Sequence, residues 1–500
     1  MEYRAYPFKA SYLVFVLGLL GSVCNTSGQG LNNLWLGGFD SDGPPPFGGV
    51  DLEFQSGSVV ISTMSRSIGY RRTSTNITDP SGNLLFSTNG AFVANALGDT
   101  MQNGSGLNPG WYADQYPEGL AIPQGVLILP KPEDPDIYYL FHTTLDVWAT
   151  ASALQLYLSV IDMSLDGGLG AVVLKNQVLI ADELNSGKLS AVRHANGRDW
   201  WVFTHKLNTD TFYRLLVTPE GVSVDGWQSI GPVHPSDAGQ VCFSPDGSSF
   251  AYFYEDLEVF PFDRCTGLFS EPVFATVDQF EPGRGVVYSP SGRFVYISTV
   301  KDVYQFDMAA ADIASSMVQV AHWDSTYSPE PPFATLFNIA QLAPDGKIYI
   351  GTGNSTDKLH VIHNPDEPGL ACNMEQHGVA LPRYFSNSLP NHPNYHLGPV
   401  DGSVCDSLGI NTAVEEALLQ EAVQACPNPS TGTFNLSYAA QAIAGELEVR
   451  DLSGRLLLRE RLPAWSTVHN VRLRNAPAGM YHCRLQWGAR ATSVRVILEP

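Results

Sequence analysis

The chain has 500 residues, 44% of them apolar and 16% charged, with 46 glycines, 34 prolines and a formal net charge of −22. That length corresponds to two or three folded units, and abundant glycine and proline with sparse charge favour many short strands over long helices. An acidic chain repels phosphate backbones, which excludes nucleic acid as a partner class.

In chain order, Arg4 and Lys9 precede an apolar run at 12–20, and Gly21, Ser22, Ser27 and Gly28 follow. This charged, apolar, small-residue order predicts a signal peptide over 1–28. The run falls short of the roughly 20 apolar residues a membrane span requires, and no later segment is long enough, so no membrane-spanning segment is expected in the mature chain. Cys24 raises a lipoprotein reading, but Gly21 stands where the lipobox usually has leucine. Cleavage near Gly28 removes Cys24.

A turn-and-strand unit then recurs. Asp79-Pro80-Ser81-Gly82 precedes Leu84-Leu85-Phe86, Asp134-Pro135-Asp136 precedes Ile137-Tyr138-Tyr139, and Ala195-Asn196-Gly197 precedes Trp200-Trp201-Val202. Three closer copies are Ser244-Pro245-Asp246-Gly247, Ser289-Pro290-Ser291-Gly292 and Ala343-Pro344-Asp345-Gly346, each leading into an aromatic and β-branched run. The turn positions 82, 136, 197, 247, 292 and 346 lie 54, 61, 50, 45 and 54 residues apart. Proline with Asp or Gly sets a tight turn, and the run after it suits a buried strand. Four short strands in about 40–50 residues make one propeller blade, as in WD-type repeats, and blades must stack around an axis to bury both faces. The body is therefore expected to be a β-propeller of six or seven blades. A seventh would form if residues 34–54 joined residues 379–396.

Chemistry-bearing residues are scattered. His142, His194 and His205 sit near strand ends and could converge on a metal, as could His360 and His363, but none has a diagnostic ligand spacing. Satisfied strand-end histidines are the favoured account. Asp40-Ser41-Asp42-Gly43 resembles part of a calcium loop without its remaining ligands. Glu133, Asp134 and Asp136 read as a solvated turn. Gly167-Gly168-Leu169-Gly170 lacks the context of a phosphate loop, and no GxSxG, P-loop or dinucleotide fingerprint occurs. No catalytic residue, metal site or cofactor is assigned. Trp111, Tyr112, Tyr116, Trp148, Trp200, Trp201 and Trp227 cluster near the proposed turns, where exposed rings would stack on sugars or grip peptides. Most are expected in the core.

Composition changes near residue 410. Thr412-Ala413-Val414-Glu415 has the form of a capping box, so residues 412–424, within a linker at 411–425, are read as a short helix or linker. From Cys426 on there are nine arginines, no lysine and five acids, a net charge of +4 against −26 for the remainder. Short alternating runs punctuated by glycines then predict a small Ig-like β-sandwich.

Within this tail, Pro427-Asn428-Pro429-Ser430-Thr431-Gly432-Thr433-Phe434 is followed by Leu447 to Arg455, with Asp451, Gly454 and Arg455, and then by Pro477-Ala478-Gly479-Met480-Tyr481. These ordered motifs resemble the type A C-terminal sorting domain of the Bacteroidetes type IX secretion system, with Arg495 standing where that pattern usually has lysine. The resemblance implies recognition by the outer-membrane translocon and a sortase, and a body that is either secreted or attached at the cell surface after passing the periplasm. The other reading is a small adhesion domain that stays on. The body also resembles secreted propeller-like proteins of the same bacteria through Asn83 to Gly90, Met101 to Gly104, Lys188 to Gly197 and Leu397 to Cys405. That likeness implies architecture and no activity.

The expected organisation is a signal peptide (1–28), a propeller body (29–410), a linker (411–425) and a sorting domain (426–500). Cys242, Cys265, Cys372, Cys405, Cys426 and Cys483 remain after cleavage, an even count that permits disulfides in an exported protein. Sequence neighbours suggest Cys242–Cys265, Cys372–Cys405 and Cys426–Cys483, one of fifteen pairings, with buried free thiols as the alternative. Function is expected to be non-enzymatic binding of a glycan, peptide or surface partner. The alternatives are a hydrolase, lactonase or polysaccharide lyase with axial acids or histidines, and a structural matrix protein.

Overall fold

The computed structural model describes residues 30–406 and 423–499, apart from 42, 55–58, 236–238, 278–283, 330–331, 387 and 475. The signal peptide, the last residues of the expected body (407–410) and residues 411–422 of the expected linker lie outside the described residues. Of the expected helix only residues 423 and 424 are described, and Gln424 opens the strand Gln424–Cys426.

Antiparallel sheets follow one another around the body: residues 34–64, 75–105, 126–185, 190–234, 240–275, 285–322 and 340–385. The second and third are joined at their outer edges by a parallel pairing of Ala171 with Gln102. These are seven blades. Apolar clusters fill the seams in order: Leu36, Ile68 and Ala94 between blades 1 and 2, Trp201, Phe212 and Phe250 between 4 and 5, and Val287, Tyr296 and Ile348 between 6 and 7. Trp35, Leu52 and Phe54 of blade 1 pack on Tyr349, Leu381 and Phe385 of blade 7, which closes the ring. Blade 1 is thus built from residues 34–64 alone, and the expected joining of 34–54 with 379–396 happens by packing instead of within one sheet. Residues 379–385 belong to the outer strand Met374–Phe385 of blade 7.

Strand burial follows distance from the axis. Gly285–Tyr288 and Phe294–Ser298 of blade 6 are buried throughout, whereas its outer strand Val318–His322 is mostly exposed. Inner strands are covered on both faces by neighbouring blades and so read as continuous apolar runs. The recurrent turns all leave innermost strands. In five of the six, a glycine N–H returns to the carbonyl three residues earlier: Gly82 to Asp79 (2.8 Å), Gly197 to His194 (2.9 Å), Gly247 to Ser244 (2.8 Å), Gly292 to Ser289 (2.9 Å) and Gly346 to Ala343 (2.9 Å). Each of these glycines has φ between 72° and 82°, a left-handed value that explains the residue choice.

The axis is filled by the chain itself. Innermost strands splay apart there, leaving edge N–H and C=O groups that need partners. Three side-chain amides, each both donor and acceptor, supply them. Gln124 bonds both polar groups of Val241 (2.9 and 3.0 Å). Gln240 donates to Ala340 O (2.7 Å) and accepts from Val286 N (3.2 Å) and Ala340 N (2.9 Å). Asn391 donates to Val126 O and Leu189 O, both at 2.9 Å. Asn391 lies on residues 388–398, which run down the axis: His392 Nε2 bonds Asn76 O (2.8 Å), Tyr395 OH donates to Ile128 O (2.8 Å) and Asn394 donates to Pro245 O (2.7 Å).

The tail is a sandwich of a three-stranded and a four-stranded sheet. Phe434, Leu447, Val449, Val471 and Leu485, all fully buried, form its core. One disulfide joins Cys265 to Cys405 (Cα–Cα 5.7 Å, 140 residues apart), and Cys426 is also disulfide-bonded. Cys242, Cys372 and Cys483 are free, so none of the three neighbour pairings occurs. Ring closure brings residues 398–406 back beneath blade 4, and that return, not sequence proximity, decides which thiols meet.

Candidate functional site

The loops entering the innermost strands, together with connections on the same side, surround a wide mouth. Residues 71–72 precede blade 2, residues 121–123 precede blade 3, and residues 145–151 connect its second and third strands. A short helix, Trp111–Gln115, lies beside them. The mouth encloses a cavity of ≈590 Å³ lined in part by Arg71, Arg72, Tyr112, Tyr116 and Trp148. A cleft of ≈600 Å³ between Trp111, Tyr116 and Trp148 adjoins it. Both volumes suit a small ligand.

Four rings form a ladder along this opening. Trp111 and Trp148 meet edge to face (6.4 Å, 74°), Trp111 meets Tyr112 at 5.3 Å, and Tyr112 meets Tyr116 at 4.8 Å. Trp111 is fixed by its indole N–H, which donates to Asp146 O at 2.7 Å. Even so it is 41% exposed, and Trp148 is 71% exposed. Burial raises the Tyr112 hydroxyl above its ordinary range, so it remains a donor at neutral pH. The Arg71 guanidinium lies 5.4 Å from the Tyr116 ring centre. Neither Arg71 nor Arg72 forms an ion pair among the described residues. Among the described residues, Asp40 is the one carboxylate on the ≈590 Å³ cavity, and no histidine lines it.

The narrow end is different. Residues at the bases of the innermost strands and residues 391–397 leave an axial cavity of only ≈110 Å³. Its polar lining is amides, hydroxyls, His392 and His396, with no Asp or Glu among the lining residues. Burial lowers both imidazoles to about 4, so they are neutral.

The histidines singled out in the sequence do not converge. His142 is wholly buried between Asn108 Oδ1 (2.8 Å) and Ser159 Oγ (2.9 Å). His194 reaches Cys265 O (3.1 Å), His360 reaches Leu336 O (3.3 Å), and His363 pairs with Glu375 (2.7 Å). His205 belongs to a buried titratable group at the seam of blades 3 to 5. There His205 and His234 lie 5.1 Å apart, His234 Nε2 is 3.2 Å from Glu258 Oε2, and Lys188 Nζ sits 3.6 Å over the Tyr252 ring. Burial raises the Glu258 carboxyl and pushes His205 down to about 2. The group is buried and serves to pin three blades. No set of three or more metal-ligating side chains is grouped among the described residues.

Other expectations resolve simply. Trp200 and Trp201 are core residues, and Trp227, 64% exposed, stands away from the mouth on the outer strand Gly221–His234 of blade 4. Asp134 pairs with Lys131 (3.1 Å) and Glu133 with Arg198 (2.9 Å). Residues 167–170 form a turn between strands of blade 3. Asp42 lies outside the described residues. Sequence reading missed Arg71 and Arg72, whose one signal is two adjacent arginines in an acidic body, and the axial amides, whose signal is glutamine at the head of an innermost strand.

The tail motif residues shape turns and an edge. Asn428 brackets the last strand, donating to Arg495 O and accepting from Ile497 N, both at 2.8 Å. Pro427 and Pro429 flank it, and Gly432 (φ 104°) turns the chain so that Phe434 reaches the core. Asp451 accepts from the N–H groups of Ser453 (2.9 Å) and Arg455 (3.1 Å), with Gly454 left-handed between them. Gly479 opens the strand of Tyr481, whose hydroxyl donates to Pro477 O (2.6 Å).

The molecule is therefore a seven-bladed β-propeller with an open aromatic mouth and a sandwich at its C-terminus. Residues 424–499 match the secretion system C-terminal sorting domain family, so the chain carries a type IX sorting domain, which implies export by that system. No curated protein matches the sequence. Similar solved structures include candidate 6-phosphogluconolactonases from Bacteroides uniformis (13% identity, 88% of this chain and 98% of that one, TM-score 0.36) and Bacteroides fragilis (12%, 72% and 97%, TM-score 0.38). Another is the Dos1 propeller (12% identity, 60% of this chain and 69% of that one, TM-score 0.35). Likeness at this level carries no argument about activity.

Proposed function

We propose that the exported chain is a non-enzymatic binding protein that grips a glycan at its wide mouth and works at the cell surface or released from it. The carrying observation is the ring ladder of Trp111, Tyr112, Tyr116 and Trp148 beside Arg71 and Arg72. Flat apolar ring faces match the C–H faces of sugars, and arginine forks reach hydroxyl or acidic substituents. Lactone, glycan or ester cleavage at the axis calls for convergent carboxylates or histidines that titrate near neutral pH, whereas the axial cavity offers amides and two imidazoles that burial holds at about 4. The sorting motif (Pro427, Asn428, Pro429, Gly432, Phe434, Asp451, Gly454, Arg455, Gly479 and Tyr481) is read as what the translocon and sortase recognise.

The test is a glycan array probed with the purified chain, followed by titration of the best binder. Trp148→Ala should weaken that binder about tenfold, the scale of one lost ring contact, while Trp227→Ala leaves it unchanged. Binding indifferent to Trp148, or hydrolysis of the bound glycan, overturns the proposal.

A further inference from the structure

A loop of the tail, residues 463–467, which joins the strands Leu456–Leu462 and Val468–Arg472, reaches the propeller. Trp465 at its tip has φ 60°, a left-handed value rare for a bulky side chain. Such backbone persists only where the surroundings over-determine it, and it concentrates at clamps and contact points. Here Trp465 packs against the apolar cluster of blades 4 and 5 that includes Val192, Phe243 and Leu397. With Ala464 and Thr467 it also lines the axial cavity.

Polar contacts fix the same seat. The Thr467 N–H donates to Pro344 O at 3.2 Å. Pro463 lies directly over Gly346, where an added Cβ would come within 2.6 Å of the proline ring. Arg461 faces Asp366 (3.7 Å) and Glu367 (3.5 Å) of blade 7. The contact joins a tail of net charge +4 to a chain whose remainder carries −26, so long-range attraction favours it as well. Gly346 belongs to the recurrent turns, which places this contact at the end of the propeller opposite the wide mouth.

We infer that residues 463–467 are a docking loop through which the sorting domain seats on its own propeller and stoppers the axial cavity, so that the cavity opens when the tail leaves. The inference is independent of the glycan reading, because it concerns the other end of the molecule. Two substitutions attack the contact from opposite sides. Trp465→Gly removes the ring and suits the left-handed backbone. Gly346→Asn keeps the body turn, since asparagine tolerates positive φ, but sets a Cβ against Pro463.

Hydrogen exchange on the full chain, read by mass spectrometry, tests the contact through the Thr467 amide. In the wild type this amide should exchange slowly. Both variants should speed it by about tenfold or more, while amides of the tail strands Gly479–Trp487 and Arg490–Leu498 keep their protection. If Trp465→Gly also exposes those tail amides, Gly346→Asn, which leaves the tail sequence intact, is the deciding variant. A fast Thr467 amide in the wild type, or an unchanged one in Gly346→Asn, overturns the inference.

Discussion

Buried histidines dominate the chemistry at the level of single residues. Burial holds His142 and His360 at about 3, His205 at about 2, and His392 and His396 at about 4. In an unfolded chain each would titrate near 6.5. Below that value the unfolded state therefore binds more protons than the folded one, and stability falls as pH falls. The loss begins near pH 6.5 and continues towards pH 4, at up to about 1.4 kcal/mol per pH unit for each histidine that stays neutral. Denaturant midpoints recorded from pH 7 to pH 4.5 should drop steadily, and His142→Asn should shallow the slope. A midpoint independent of pH across that range refutes this account. For His142, His205 and His360, sequence alone suggested satisfied side chains, because no ligand spacing linked them. It could not show that His205 would meet His234 and Tyr252, since Tyr252 comes from the next blade.

Among elements, the innermost strands depend on side-chain amides more than on each other. Gln240 bridges blades 5, 6 and 7 through three backbone groups. Gln240→Leu would fill the space but strand two N–H donors and a carbonyl in a buried setting, at a cost of about 3 kcal/mol. Urea unfolding should show a lower midpoint, whereas Gln102→Leu, exposed on the outer strand Thr100–Ser105 of blade 2, should cost far less. The blades themselves were legible in the sequence, because each needs the same tight turn: the glycines at 82, 197, 247, 292 and 346 are the same turn repeated. Blade 1 was not, since its strands lack that turn. The axial segment at 388–398 was not either, because asparagine, proline and histidine carry no periodicity. The aromatic mouth was half legible: four of the seven aromatics singled out line it, yet ring exposure depends on loops that only the closed ring brings together.

For the whole molecule, the Cys265–Cys405 bond ties the chain leaving the axis to blade 5 across 140 residues. Replacing both cysteines with serine should destabilise the propeller by roughly 2–5 kcal/mol, given the long loop released. Peptide mapping without reductant should recover that bond and leave Cys242, Cys372 and Cys483 free for alkylation on unfolding. The tail makes a separate prediction: deleting residues 426–500 should leave the protein inside the native host's envelope, and a truncated chain appearing outside the cell would refute the sorting assignment. The charge reversal announced this tail, whereas its seat on the propeller involves a loop whose tryptophan looks ordinary in sequence.

Residues 388–398 also set the order in which the body can be assembled. His392 and Asn391 bond to residues 74–76, more than 300 positions earlier, and Asn391 joins blades 3 and 4 as well. The piece that locks the ring is nearly the last of the body to be synthesised. Contacts of such long sequence separation form slowly, so early blades must wait, ajar, for their keystone. A protein bound for transport gains from that delay: its chain stays open to handling until almost all of it has been made.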